Sequence, residues 1–197
     1  MTKDLDDLLN SEDFATFIDS VEHFCRTLER LESLPRALFL QEMDRLLPLV
    51  YSTASVLPDY PWDEDEDDGD DRQDASLEQF AKELDMQKSL VDKLGHVDSY
   101  SFVFDPVDHG NREVIYGSLA EDLASVYADV RQPLALFRVG EEAGIKQALW
   151  DWGFGRKIHW GRHAVHAIGV IYSLVHQHYV EDEGTFDVAS DGPVTNA

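Results

Sequence analysis

The chain has 197 residues and a formal net charge of −24, which fits one domain with a substantial core. That charge excludes nonspecific binding to nucleic acid or to anionic lipid, because phosphate groups are attracted by clusters of Lys and Arg. Since no apolar stretch is long enough to span a bilayer and residues 1–10 lack the basic and apolar regions of a signal peptide, we expect a cytoplasmic protein with no nucleic-acid or membrane partner.

Two segments carry most of the negative charge. Residues 59–74 contain ten acids and one base, and residues 181–191 contain five acids and no base. Segments of this composition cannot bury apolar surface, so we predict an acidic loop over 58–75 and a disordered acidic tail over 181–197. The same charge favours a basic partner over an acidic one.

The first helix is predicted over residues 11–33, after a flexible N-terminus at residues 1–10. From Phe14 onwards, apolar residues recur with the spacing of an amphipathic helix. Cys25 lies on this apolar face, and a lone cysteine cannot form an internal disulfide. We therefore interpret Cys25 as a buried structural thiol.

The next two helices are separated by the acidic loop. The second is predicted from Pro35 to Leu57, and Pro48 inside it is expected to kink or divide the helix because proline removes a backbone donor. The third is predicted from Ala75 or Ser76 to a stop at Gly95. In residues 96–117, apolar and polar residues alternate too irregularly for a clear assignment. We predict an irregular crossover there that can include a short strand.

The fourth helix is predicted to begin with a capping box made by Ser118 and Glu121. Pro133 is expected to bend it, and Gly140 separates it from a last helical region over 141–178. This last region is expected to break near one of two glycines, Gly153 or Gly155. Five or six helices with short connections predict a single all-α helical bundle over residues 11–180.

A stripe of polar and aromatic residues runs along the last helical region. Its members recur at spacings of 4, 3, 4 and 3, which places them on one face of a continuous helix. We call it the histidine stripe, and it consists of Trp152, Arg156, His159, His163 and His166. A parallel apolar stripe, about 100° further round the helix, can bury itself in the core.

The fourth helix offers a second polar stripe that can face the first. We call it the acidic stripe, and it consists of Asp122, Ser125, Asp129 and Gln132. Facing stripes would form a polar, partly buried pocket for a small molecule, an anion or a metal ion, and solvated or structural stripes are the alternative. Arg156 disfavours a cation beside the histidines and suits a carboxylate or phosphate group. We assign no metal and no cofactor.

The two most distinctive segments resemble an uncharacterised family of bacterial all-helical proteins, a domain of unknown function. One segment is Ser118-Leu-Ala-Glu-Asp-Leu-Ala-Ser-Val-Tyr-Ala-Asp129, and the other runs from Ala148-Leu-Trp to His159-Trp-Gly-Arg-His163. The resemblance covers residues 11–178. It implies an all-α fold and a bacterial cytoplasmic origin, and it implies no activity.

No recognisable reaction motif surrounds the histidine stripe, so no catalytic residue is assigned. We predict a non-enzymatic binding or adaptor protein for another protein. The alternative is a small-molecule, anion or metal-binding enzyme in which Trp152, Arg156, His159 and His163 face Asp122 and Asp129.

Overall fold

The fold is described from a computed structural model, which covers residues 5–57, 71–103, 105, 107–108, 110 and 113–177, with the backbone alone for 71–81. Within these ranges there are seven α-helices and one two-stranded sheet. The helices are α1 (Leu5–Leu9), α2 (Glu12–Glu29), α3 (Arg36–Thr53), α4 (Asp71–Leu94), α5 (Leu119–Val139), α6 (Glu142–Ile158) and α7 (Trp160–His176). The strands are β1 (Ser99–Val103) and β2 (Val114–Ser118). The prediction of an all-α bundle is confirmed, with the small sheet as an addition.

The two ends of the predicted helical domain need correction. Residues 5–9, predicted to be flexible, form α1, because Leu8 buries its whole side chain in the core. α4 begins at Asp71 rather than at Ala75, which shortens the predicted acidic loop. Acidic residues suit the first turn of a helix because the helix dipole is positive there. The rest of that loop and the acidic tail lie outside the described residues.

α5 is the central helix of the bundle. It packs against α2, α4, α6 and α7, and its side chains at Leu119, Leu123, Val126 and Val130 are fully buried. Both helices that contain an internal proline run without a break, so Pro48 does not divide α3. Cys25 lies in the same core, where burial raises the pKa of its thiol to about 12. The thiol is therefore the structural one that was predicted.

The β1–β2 hairpin fills part of the segment predicted to be irregular, and it leads directly into α5. The strands are antiparallel with Tyr100 opposite Gly117. Asp98, just before β1, accepts a hydrogen bond from the Ala120 amide at 2.7 Å and from the Ser118 hydroxyl. Ser118 in turn caps the Glu121 amide, so the reciprocal partner in the cap is Asp98 and not the predicted Glu121 side chain.

The last helical region breaks at His159, six residues beyond Gly153 and four beyond Gly155, the two glycines near which the break was expected. His159 has φ −135° and ψ −87°, and it ends α6 and precedes α7. The Trp160 indole folds back and donates a hydrogen bond to the Trp152 carbonyl at 3.1 Å. Gly155 and Gly161 stay helical and allow this contact, because an added Cβ would lie 2.8 Å from the Trp160 ring or 1.9 Å from the Arg156 carbonyl oxygen.

Gly161→Ala therefore tests the turn between α6 and α7. The new methyl group would collide with backbone, which cannot move aside as a flexible side chain can, so we expect a loss of about 2–3 kcal/mol in the free energy of unfolding. Gly169→Ala is the matched control in the same helix, where an added Cβ meets no described atom within 4 Å. There we expect a gain of about 0.5–1 kcal/mol. Urea denaturation measures both, and equal effects of the two substitutions would contradict the tight contact at Gly161.

Candidate functional site

The centre of the candidate site is the buried carboxylate of Asp122, in the first turns of α5. It is 4% exposed and accepts two hydrogen bonds, one from the Tyr100 hydroxyl at 2.5 Å and one from His163 Nδ1 at 2.7 Å. A carboxylate removed from water needs such partners, because its desolvation otherwise costs several kcal/mol. Asp122 thus connects three elements: β1 through Tyr100, α7 through His163, and its own helix α5.

Tyr100 reaches Asp122 by crossing over β2. Its ring lies against Gly117, where a Cβ would come within 2.6 Å of Tyr100 Cζ. Any other residue at position 117 would push the ring away from the carboxylate. Burial, followed by the hydrogen bond to Asp122, raises the pKa of Tyr100 well above its ordinary value. The phenol therefore remains a hydrogen-bond donor at every physiological pH.

His163 is oriented by this contact. Its side chain is 17% exposed, and donation from Nδ1 to Asp122 places the lone pair of the neutral imidazole on Nε2. No hydrogen bond to Nε2 is made by the residues that the structure describes. A histidine fixed by a carboxylate in this way has the arrangement of a general base. The same arrangement also serves a histidine that only stabilises the packing of α7 against α5.

A second histidine–carboxylate pair lies beside the first, nearer to solvent. His159 Nδ1 is 2.7 Å from Asp129 Oδ2, and the His159 side chain is 51% exposed. The ring centroids of His159 and His163 are 5.0 Å apart. The structure therefore brings two histidines of the histidine stripe against two carboxylates of the acidic stripe.

Two members of the histidine stripe, Trp152 and Arg156, lie on α6, before the break at His159. Trp152 is fully buried, packs edge-on against Phe17 and donates a hydrogen bond from Nε1 to the Val130 carbonyl at 3.0 Å. Arg156 lies with its guanidinium carbon 4.9 Å from the centre of the Tyr51 ring on α3. The prediction of one continuous stripe is wrong because α6 and α7 are two helices.

His166 lies one turn further along α7, against the face of the hairpin. Its ring centroid is 4.4 Å from that of Phe102 and 6.5 Å from that of Tyr100. Burial lowers the pKa of His166, and the nearby Asp122 charge opposes this effect. The imidazole is therefore uncharged at neutral pH and contributes a weakly polar, aromatic surface.

An open cavity of about 670 Å³ lies between β1 and α7, and we call it the β1–α7 groove. One wall is β1, with residues 99–102, and the other is the face of α7 that includes His166, Gly169 and Val170. No Asp, Glu, Lys or Arg is among the described residues that line it. The Tyr100 ring belongs both to this groove and to the Asp122 cluster, so the cluster holds one wall of the groove in place.

Within the described ranges, no group of three or more His, Cys, Asp and Glu side chains is placed to hold a metal ion. The helices in those ranges are also too short or too polar to cross a bilayer.

The family model of a domain of unknown function, DUF5063, matches residues 9–177. The chain belongs to the DUF5063 family. No curated protein matches the sequence. Among solved structures, the crystal structure of protein BF1032 from Bacteroides fragilis, a structural genomics target, is similar with a TM-score of 0.65 and 22% identity. The similarity covers 84% of this chain and 94% of that chain, and it shows the fold alone.

Two residues that shape the site of this DUF5063 domain are not among the site residues predicted from the sequence. Tyr100 lies in the segment predicted to be an irregular crossover, where a five-residue strand gives too short a pattern to read. Gly169 lies inside α7. A glycine inside a predicted helix can be recognised from the sequence as a position that needs a reason, because glycine lowers helix stability.

The Asp122 cluster should matter more for stability than its exposed neighbour. Asp122→Asn turns one acceptor into a donor that faces the donors of Tyr100 and His163, so we expect the free energy of unfolding to fall by about 2–3 kcal/mol. Asp129→Asn is the control, and it should cost less than about 1 kcal/mol because its partner His159 is half exposed to solvent. Urea denaturation at neutral pH compares them. If both variants lost the same free energy of unfolding, the hydrogen bonds of the buried Asp122 would be no more stabilising than those of Asp129.

Proposed function

We propose that this DUF5063 protein is a cytoplasmic, non-enzymatic binding or adaptor protein that holds part of a partner protein in the β1–α7 groove. The observation that carries the proposal is Gly169. Glycine inside a helix costs about 1 kcal/mol relative to alanine, so its presence in α7 needs a reason. Neither a positive φ nor a close contact supplies one, since an added Cβ would meet no described atom within 4 Å.

The reason we infer is that any side chain at position 169 would take up space in the groove, and a large one would fill it. Helical proteins accept a local loss of stability where a binding surface requires it. The groove has the composition of a binding site, with aromatic and apolar walls and a few polar groups from serine and histidine side chains. Such walls suit an apolar side chain of a partner, because burial of that side chain would drive association.

A second candidate, an enzyme, is favoured by one specific observation. Asp122 fixes His163 with its Nε2 lone pair unpaired among the described residues, and this is how a general base is oriented. The enzyme alternative predicted for the histidine stripe also uses Trp152 and Arg156. Trp152 instead donates its hydrogen bond to the Val130 carbonyl, and Arg156 lies over the Tyr51 ring. The enzyme candidate therefore rests on the histidine–carboxylate pairs alone.

The test uses two variants of the tagged full-length protein expressed in its own host, Gly169→Leu and Gly169→Ala. Leucine at this position should fill the groove, whereas the single methyl group of alanine should only narrow it. We expect native mass spectrometry of the purified protein to show a partner protein on the wild type, about two- to threefold less of it on Gly169→Ala, and at least tenfold less of it on Gly169→Leu.

Three outcomes would contradict the proposal. The partner could be retained equally by all three forms, which would place its binding outside the groove. A second contradicting outcome is that none of the three forms retains a partner protein. A retained small molecule that is lost on Asp122→Asn, with no protein partner, would favour the enzyme instead.

A further inference from the structure

Among the described residues, one edge of β1 has no paired strand, and the backbone geometry shows which groups this edge presents. The Asp98 carbonyl accepts a hydrogen bond from the Leu119 amide, and these two residues continue the register in which Tyr100 is opposite Gly117. In an antiparallel ladder, hydrogen-bonded and non-hydrogen-bonded pairs alternate. Tyr100 and Phe102 therefore direct their backbone groups towards β2, and Ser99 and Ser101 direct theirs the other way.

The groove lies on that outward side of β1. Four successive residues of β1, 99–102, line it, although alternate side chains of a strand point to opposite faces. Both faces of β1 can border one cavity only if the cavity meets the edge of the strand. No β2 residue lines the groove among the described residues, which agrees with β1 lying between β2 and the cavity.

Strand edges of this kind pair readily with another chain, because their amide and carbonyl groups lack partners. The backbone groups of Ser99 and Ser101 on this side make no hydrogen bond to the described residues. A groove with a free strand edge on one wall and a helix on the other suits an extended peptide, which gains main-chain hydrogen bonds from the strand and places alternate side chains in the groove.

The charge near one end of the groove indicates how such a peptide would lie. β1 runs from Ser99 towards the tip of the hairpin, where Asp105, Asp108 and Glu113 are all exposed. The sequence of this tip, residues 104–113, contains those three acids and one arginine. A partner segment with basic residues at the hairpin tip would complement this charge.

We propose that the occupant of the β1–α7 groove is an extended segment of a partner protein that adds to β1 as a third, antiparallel strand. Its apolar side chain lies over Gly169, and basic residues at its N-terminal end lie beside the acidic hairpin tip. The antiparallel direction follows from the slightly greater stability of antiparallel pairing. This inference rests on the proposed function, since it specifies the part of the partner that the groove takes.

The experiment uses the full-length protein and a synthetic peptide, acetyl-Lys-Lys-Thr-Val-Thr-Val-Thr-amide, with NMR titration as the measurement. Ser101→Pro removes the outward amide of β1 without removing a bond to β2, and proline is tolerated at such edge positions. Ser101→Ala is its control, since it keeps the amide. We expect Ser101→Pro to weaken binding about tenfold, as the loss of one good hydrogen bond would, and Ser101→Ala to bind like the wild type.

Two further comparisons define the rest of the site. Gly169→Leu should weaken binding of the peptide more than tenfold, and Gly169→Ala only about two- to threefold. Replacement of both peptide lysines by glutamates should weaken binding at low ionic strength, and the difference should shrink as salt is added. The Ser101 amide should exchange quickly with solvent in the free protein and slowly in the complex.

The outcomes separate this inference from the proposed function. If Gly169→Leu abolishes binding and Ser101→Pro has no effect, the groove is occupied without strand pairing, so the inference is overturned and the proposed function stands. If Ser101 is already protected in the free protein, or becomes protected as the protein alone is concentrated, the occupant is the chain itself or a second copy, which also overturns it. If the peptide binds to no form, or equally to Gly169→Leu, both proposals fail.

Discussion

The arrangement of this molecule depends on one buried carboxylate. Asp122 accepts hydrogen bonds from Tyr100 on β1 and from His163 on α7, so the side chain of one helix fixes a strand and a second helix at once. Because the carboxylate is buried, loss of either partner leaves charge poorly compensated in a medium of low polarity. The position of the two walls of the β1–α7 groove follows from this cluster. Gly117, by admitting the Tyr100 ring, is part of the same arrangement.

The groove combines a rigid frame with an open interior. Around it, Val97 and Leu174 are buried in the core, and the His166 side chain on α7 contacts Phe102 on the hairpin. Inside it, Gly169 leaves space where any other residue would place a side chain. Local helix stability is lower than it could be at this point, although the surrounding packing is tight. Binding sites commonly show this combination, since a preformed cavity reduces the entropy lost on association.

The sequence predicts the helices well because their apolar residues recur with one period over many turns. α5 begins at the predicted cap, Ser118, and α2 begins directly after Ser11, the first residue of the predicted helix; in both cases the serine side chain satisfies a backbone amide. The same periodicity gave the wrong result for α6 and α7, since spacings of 4, 3, 4 and 3 continue through His159 while the backbone does not. The break depends on Trp160 and Gly161 meeting α6 in three dimensions, and no local pattern encodes that contact.

The sequence predicts the candidate site in part, because its histidines and carboxylates also recur with the period of a helix. Histidines and carboxylates at helical spacing indicated two faces that can meet, and the structure places His163 beside Asp122 and His159 beside Asp129. The sequence does not predict which residues of the histidine stripe take part in the site, because this depends on the helix break at His159. Tyr100 was not found because long-range contact from a short strand leaves no periodic signal.

The most direct test of the central claim is a double-mutant cycle between Tyr100→Phe and His163→Leu, measured by urea denaturation. Their two side chains meet only through Asp122 among the contacts described for them, so the cycle reports the coupling that the carboxylate provides. The account predicts a coupling free energy of about 0.5–1.5 kcal/mol that vanishes when the cycle is repeated with Asp122→Asn. Additive effects in the wild-type background, or a coupling that survives Asp122→Asn, would contradict it.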